Sequence, residues 1–238
     1  MQMLWIAHRA GTDRYPEQSM EAAAFSLAHG ADFVELDVRF TADGAPVICH
    51  DPGALRMFGV DCAVADMTLE TFLRLRNRSH PQIAAYSLKD AFEAGLVPAL
   101  LHLKCDAQAL DTVLEHVARF GYQERVVLGI GDPQAVARIK GFDPRIRVLA
   151  FMHTQADLED FLASACEYVR LWEPWVTYEK IARIRASGKQ AWIMSGAPQT
   201  VGYTAPSNLK KWAEMGAQAV LINEVVKAVA LLGEGGAR

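Results

Sequence analysis

Phe33-Val34-Glu35-Leu36-Asp37-Val38, then Asp43-Gly44, then Pro46-Val47-Ile48-Cys49-His50-Asp51, is the stretch on which the reading of this chain turns. Side chains alternate along a strand, so Glu35 and Asp37 share one face while Val34, Leu36 and Val38 share the other. The apolar face asks for helices to pack on, and the acidic face asks for a polar pocket. Asp-Gly between two apolar runs signals a two-residue type I′ hairpin. Such a turn sets Ala42 opposite Ala45 and puts Asp37 directly across from His50.

Upstream, residues 4–7 form a short apolar run that ends at His8-Arg9. Ser19 is placed to cap a helix with Met20, Ala23, Ala24 and Leu27 on one face, and Gly30 closes it. Strand, helix, strand in that order predicts a parallel sheet. Downstream, residues 52–82 read as a small insertion over the pocket, with a short helix within 68–76. From residue 87 the rhythm is regular. Strands are expected at 99–104, 125–130, 146–151, 168–172, 190–195 and 219–222, each followed by a helical stretch. Counting 4–7 and 33–38 and leaving the hairpin's return arm aside gives eight strands. That count and the 238-residue length predict a (β/α)8 TIM barrel, with a β-hairpin after strand 2 and a small insertion before strand 3, as one domain over 1–238. An open doubly wound sheet is the alternative, but no strand is followed by a glycine-rich dinucleotide fingerprint.

Apolar residues make up 51% of the chain and charged residues 22%, the balance of a soluble globular protein. A net charge of −4 with no long basic run argues against a nucleic-acid partner. No apolar run reaches the ~20 residues that cross a bilayer, so no membrane insertion is expected. The N-terminus has no basic segment and apolar core of a secretory signal. Cys49, Cys62, Cys105 and Cys166 show no metal-binding spacing and read as free thiols, which suits the cytoplasm.

In TIM barrels the site forms at the C-terminal ends of the strands. Those ends carry His8, Arg9, Glu35, Asp37, His102, Lys104, Trp172, Glu173 and Ser195. Two carboxylates at i and i+2 repel by about 4 kcal/mol at ~4 Å and an effective dielectric of 20. A divalent metal relieves that repulsion, and so would Arg9 or Lys104. Oxygen ligands favour Mg²⁺, Ca²⁺ or Mn²⁺. Arg9 and Lys104 beside a metal suit a phosphoryl group, and His8 with His50 suit general acid–base cleavage of a P–O bond. The class that follows is metal-assisted cleavage of a small-molecule phosphodiester.

The motifs resemble the glycerophosphodiester phosphodiesterase family. The matches are His8-Arg9-Ala10-Gly11, Pro16-Glu17-Gln18-Ser19 at the family's Pro-Glu-Asn-Thr position, Glu35-Leu36-Asp37-Val38, Thr41-Ala42-Asp43-Gly44, Pro46 through Asp51, and more weakly Tyr86-Ser87-Leu88. They are dense over residues 6–56 and thin beyond about 105. The resemblance implies a TIM barrel that hydrolyses glycerophosphodiesters to glycerol 3-phosphate and an alcohol, with one divalent cation. It implies His8 and His50 as the acid–base pair, Arg9 and Lys104 on phosphate, Glu35 and Asp37 on metal, and Glu17 as a supporting polar group.

Three departures stand out. The family's Glu-x-Lys is His102-Leu103-Lys104, so the expected third ligand is a histidine. Losing that anion weakens attraction for a hard cation by about 4 kcal/mol on the same Coulomb estimate and tilts the site toward Mn²⁺ or a softer ion; Glu173 is a candidate replacement. The family's Trp-Thr-Val is Met194-Ser195-Gly196, with Trp192 two residues earlier, and its late Thr-Asp is Ile222-Asn223. Trp172, Trp175 and Tyr203 are candidates for an apolar wall, and residues 196–207 for a lid. A phosphodiester lyase giving a cyclic phosphate and a non-catalytic phosphate-binding barrel are the alternative functions. Oligomeric state is left open.

Overall fold

Eight parallel strands close on one another. The computed structural model describes residues 3–104, 107–197 and 199–233. Its strands are β1 (Leu4–Ala7), β2 (Phe33–Phe40), β3 (Pro46–Ile48), β4 (Ala99–Leu103), β5 (Val126–Ile130), β6 (Arg147–Ala150), β7 (Tyr168–Trp172), β8 (Gln190–Met194) and β9 (Ala219–Ile222). Each neighbours the next in parallel, except β3, which pairs antiparallel with β2 and lies outside the ring. Closure comes from β1, which pairs with β9 from Leu4↔Ala219 to Ala7↔Ile222 and with β2 at Ile6↔Phe33. This is the expected (β/α)8 barrel, and the open-sheet alternative falls.

Alternation sorts the strand residues into two layers. Val34, Leu36, Val38, Leu101, Leu128 and Val148 pack outward with helix residues such as Leu114, Ile139, Ile181 and Trp212. Phe33, Leu100, Val127, Leu149, Tyr168, Trp192 and Leu221 fill the barrel. Local signals start the helices. The Ser19 side chain accepts from Ala22 N ahead of Met20–Ala28, and Ser87 with Asp90 forms a capping box ahead of Leu88–Glu93. The first helix buries Ala22, Ala23 and Ser26, so its inward face is rotated from the expected one and Ala24 is exposed.

Two expectations are corrected. The hairpin register is shifted by one residue: Val38 pairs with Ile48 and Phe40 with Pro46. A type I′ turn needs positive φ at both central residues, and Asp43 lacks it; only Gly44 is left-handed, at φ 76. Thr41 instead accepts from Gly44 N at 2.9 Å and bonds Ala45 O at 3.1 Å, giving a three-residue loop that ends in a glycine bulge. Asp43 is held by Thr41 Oγ1 at 2.5 Å and by Leu69 N at 2.9 Å. Cys49 N therefore bonds Asp37 O, and His50 is not the cross-strand partner of Asp37. The insertion also lies beside the pocket and not over it, since none of the mouth-lining residues comes from 52–82. It builds its own small core from Val47, Cys49, Ala54, Met57, Val64, Met67, Phe72 and Ala85, with the short helix at Leu69–Leu73.

Among the described residues no helix is long and apolar enough to cross a membrane. Cys49, Cys62 and Cys166 are free, and Cys105 lies outside the described residues.

Trp192 is fully buried, stacked on Tyr168 at 4.4 Å and 6.0 Å from Phe33, and shares with Met194 the cluster that makes the floor of the barrel interior. Trp192→Ala should therefore lower unfolding free energy by about 3–5 kcal/mol, measured by denaturant titration; a loss under about 1 kcal/mol would mean that the floor collapses freely.

Candidate active site at the barrel mouth

The mouth opens as a cavity of about 770 Å³ lined by His8, Arg9, Asp37, His50, His102 and Lys104, with Phe151, Arg170, Trp172, Met194 and Val201 among the others. Five of the seven residues expected to do chemistry at the phosphate and the metal thus share one cavity with Asp37; Glu35 lies just beneath, bonded to the Arg9 backbone.

Backbone geometry brings the first of them in. β1 ends in a tight turn, His8–Ala10, where Arg9 and Ala10 take left-handed conformations at φ 50 and 70 ahead of Gly11 at 88. Non-glycine residues hold such geometry only when neighbours over-determine it. Here Arg9 N donates to Glu35 Oε2 at 2.7 Å, Gln18 N donates to Arg9 O at 2.7 Å, and Ser26 Oγ donates to Ala10 O at 2.8 Å.

Glu35 and Asp37 are each 1% exposed. Glu35 spends Oε2 on Arg9 N, and Asp37 spends Oδ2 on Gln18 Nε2 at 2.7 Å. The two remaining oxygens converge on His102 Nδ1, Asp37 Oδ1 at 2.9 Å and Glu35 Oε1 at 3.7 Å, while Lys104 Nζ stands 3.1 Å from Asp37 Oδ1. Burial acts to raise the Asp37 pKa. The His102 imidazole close to Oδ1, with Lys104 and His50, outweighs it and holds the carboxyl well below the usual range. One atom each from Glu35, Asp37 and His102 lie within 4.8 Å of one another. Asp37 Oδ1 is buried and takes no well-aligned hydrogen bond. Two carboxylate oxygens and an imidazole nitrogen aimed at one point fit a divalent cation, which would replace the Nδ1 proton and the Lys104 contact.

His8 is 7% exposed, and its tautomer follows from its partner. Asn223 Nδ2 donates to Val201 O at 3.0 Å, so Asn223 Oδ1 faces His8 Nδ1 at 2.6 Å and accepts its proton. Nε2 is left bare. Burial, the largest influence, outweighs Glu35 and Asn223 and lowers the His8 pKa, favouring the neutral ring.

His50 arrives from beyond the end of β3, aimed by a closed ring of polar contacts. Its Nδ1 faces Asp51 Oδ1 at 2.6 Å, and its Nε2 accepts from Arg9 Nη2 at 2.8 Å. Arg9 Nη1 pairs with Glu17 at 3.0 Å, Glu17 pairs with Arg56, and Arg56 pairs with Asp51. Arg56 comes from the insertion. Nothing in its sequence position marks it; only the fold shows that it joins Glu17 to Asp51. Gln18 and Arg170 were likewise not expected as site residues, and Asn223 was expected only as a departure from the family pattern, with no role assigned.

Other expectations diverge. Glu173 is occupied: Oε1 accepts from Thr204 Oγ1 at 3.0 Å and Asn208 Nδ2 at 2.9 Å, and Oε2 from Gly196 N. It anchors the loop after β8 and does not reach the carboxylate pair. Of the three aromatic residues expected as a wall, Trp172 lines the cavity; Trp175 and Tyr203 do not. Ser195 is fully buried and donates to Leu221 O at 2.7 Å. From the 196–207 loop Val201 reaches the cavity, and Gly202 is tied to Ser195 O and Asn223 N, each at 2.8 Å.

Comparison with known proteins finds the same barrel fold in solved structures and a family match over the first half of the chain. Residues 8–117 match the model of the Glycerophosphoryl diester phosphodiesterase family. YqiK of Bacillus subtilis is 26% identical over 95% of this chain and 97% of its own length. Human Glycerophosphodiester phosphodiesterase 1 is 34% identical over 40% of this chain, and the match spans 27% of that protein. An Oleispira antarctica phosphodiesterase, solved with the product sn-glycerol-3-phosphate, superposes with a TM-score of 0.81 at 20% identity, covering 96% of each chain.

The Asp51 pKa tests the ring. Burial pushes it up, but the Arg56 hydrogen bond and then His50 bring it down to about 2. A depressed carboxyl stabilises the fold above the ordinary Asp value near pH 3.9, and that contribution fades toward pH 2. Arg56→Ala should return the Asp51 titration, followed by carboxyl carbon NMR, toward about 3.9; a midpoint still near 2 would remove Arg56 from the account.

Proposed function

We propose that the chain is a divergent member of the glycerophosphodiester phosphodiesterase family, whose model matches residues 8–117, and that it hydrolyses a glycerophosphodiester, or a related small phosphodiester, to glycerol 3-phosphate and an alcohol. The observation that carries the proposal is the convergence of Glu35 Oε1, Asp37 Oδ1 and His102 Nδ1 in the cavity lined by His8, Arg9, His50 and Lys104. Names of relatives support the same reaction: the human relative is a glycerophosphodiester phosphodiesterase, and the Oleispira enzyme holds the glycerol phosphate product.

Glu35, Asp37 and His102 would hold one divalent cation, which supplies Lewis-acid polarisation of the phosphoryl oxygens. Arg9 carries the guanidinium fork suited to two phosphoryl oxygens, and Lys104 adds a point charge once it leaves Asp37. His8 is the general base. Its neutral ring, with Nδ1 committed to Asn223, leaves Nε2 to take a proton from water. His50 is the general acid. Asp51 keeps Nδ1 occupied, so once Arg9 turns to phosphate Nε2 is free to take up a proton from solvent and deliver it to the leaving alcohol oxygen. In this reading residues 1–238 are one domain, and the free thiols Cys49, Cys62 and Cys166 support a cytoplasmic setting.

Turnover of glycerophosphocholine and of an aryl phosphodiester, measured with Mg²⁺, Ca²⁺, Mn²⁺ and a chelator, tests the proposal. The expected result is metal-dependent release of glycerol 3-phosphate that chelator lowers about 10²-fold or more. Because His8 is held neutral, the acid limb of kcat/KM should fall below the ordinary histidine value of about 6.5. No metal-dependent hydrolysis of any diester would overturn the reading.

A further inference from the structure

Arg170 has no part in the chemistry above, yet its charge faces the same cavity. It lies on β7, two residues before Trp172, and is 4% exposed. Its guanidinium sits 4.5 Å over the Trp172 ring and 5.0 Å over the Phe151 ring, and Nη2 donates to Met152 O at 2.9 Å. Nε is buried without a partner. Among the described residues no carboxylate forms an ion pair with it, although Arg9 is answered by Glu17 and Lys104 by Asp37. Burial lowers its pKa to about 9, so it remains charged at neutral pH.

A buried charge is costly unless something pairs with it. Among the described residues Glu35 is the acidic side chain that acts on Arg170 electrostatically, and it forms no ion pair with it. The cavity's Asp132 is exposed and caps Gln134 N at 2.9 Å. Phe151 links Arg170 to the proposed metal ligands: His102 stacks on that ring at 3.9 Å, and the guanidinium lies over it. The mouth therefore has two poles about one aromatic ring apart. One is the carboxylate–histidine group. The other is a guanidinium against an indole, with a donor still to satisfy.

We propose that Arg170, walled by Trp172, binds a second anionic group of the substrate, a carboxylate or phosphate carried on the leaving alcohol. The proposal rests on the phosphodiesterase reading and narrows it to diesters with an anionic leaving group. An arginine fork pairs with either group in the same way. A choline-type leaving group would bring a cation against the guanidinium.

The test compares kcat/KM for four glycerol phosphodiesters that share one glycerophosphoryl half. Their leaving alcohols are glycerol, glycerate, glycerol phosphate and choline. The native chain should favour the glycerate or the glycerol phosphate diester over the neutral one by about 10²-fold. Arg170→Met should bring that ratio to within a few fold of one while the neutral diester still turns over. Arg170→Lys, which keeps the charge and loses the fork, should retain part of the preference and serves if the Met variant does not fold. Whichever anionic diester leads identifies the group. Equal kcat/KM for neutral and anionic diesters in the native chain would overturn the proposal, as would a Met variant that slows all four by one factor. An aryl diester run in parallel reports on the phosphodiesterase reading itself. If no diester is turned over, calorimetric binding of 3-phosphoglycerate still decides: weaker binding by Arg170→Met supports the site, and unchanged binding removes it.

Discussion

Two carboxylates locked side by side on β2, each nearly sealed from water, set the electrostatic problem that the mouth of this barrel answers. Glu35 and Asp37 each commit one oxygen to the protein and turn the other toward the same point. Uncompensated, their repulsion would be of the order of 4 kcal/mol. His102 from the neighbouring β4, paired with β2 at Asp37↔His102, and Lys104 just beyond the end of β4 reach in against them; the His102 imidazole stands beside Asp37 Oδ1, and the Lys104 ammonium supplies opposing charge. The bond from Glu35 to the Arg9 backbone holds the left-handed turn that aims His8 and Arg9, so the acidic pair also fixes the far side of the site.

The neighbouring elements act through those same groups. The β2–β3 hairpin delivers His50 beyond its last paired residue, where a strand would not dictate its direction. A ring through Asp51, Arg56, Glu17 and Arg9 dictates it instead. That gives the insertion a function: its small core carries Arg56 to the one place where it joins both acids. On the opposite side Asn223, a neutral amide, aligns His8 without adding charge, consistent with a ring held neutral.

Much of this was legible in the sequence because it follows from strand periodicity. Alternation on 33–38 separated the acidic face from the apolar one, and the βα rhythm closed the ring. Residues at strand ends, His8, Arg9, Asp37, His102 and Lys104, line the mouth because barrel geometry sends strand ends there. What failed depended on local φ or on partners distant in sequence. Asp43-Gly44 looks like a type I′ turn, but Asp43 is drawn to Leu69 N and Thr41 and stays at negative φ, which moves the register by one residue. Glu173 sits at a strand end like its predicted peers, but three donors from the following loop and helix claim it. Arg56 and Arg170 lie in ordinary local sequence, and only tertiary placement gives them charged or aromatic neighbours.

Central to the account is that Glu35, Asp37 and His102 are one ligand set. Anomalous scattering from crystals soaked in Mn²⁺ measures it directly. The account predicts a peak within about 2–2.5 Å of Glu35 Oε1, Asp37 Oδ1 and His102 Nδ1, with Lys104 Nζ displaced from Asp37. A peak that excludes His102, or a Lys104–Asp37 contact unchanged at saturating Mn²⁺, would contradict it.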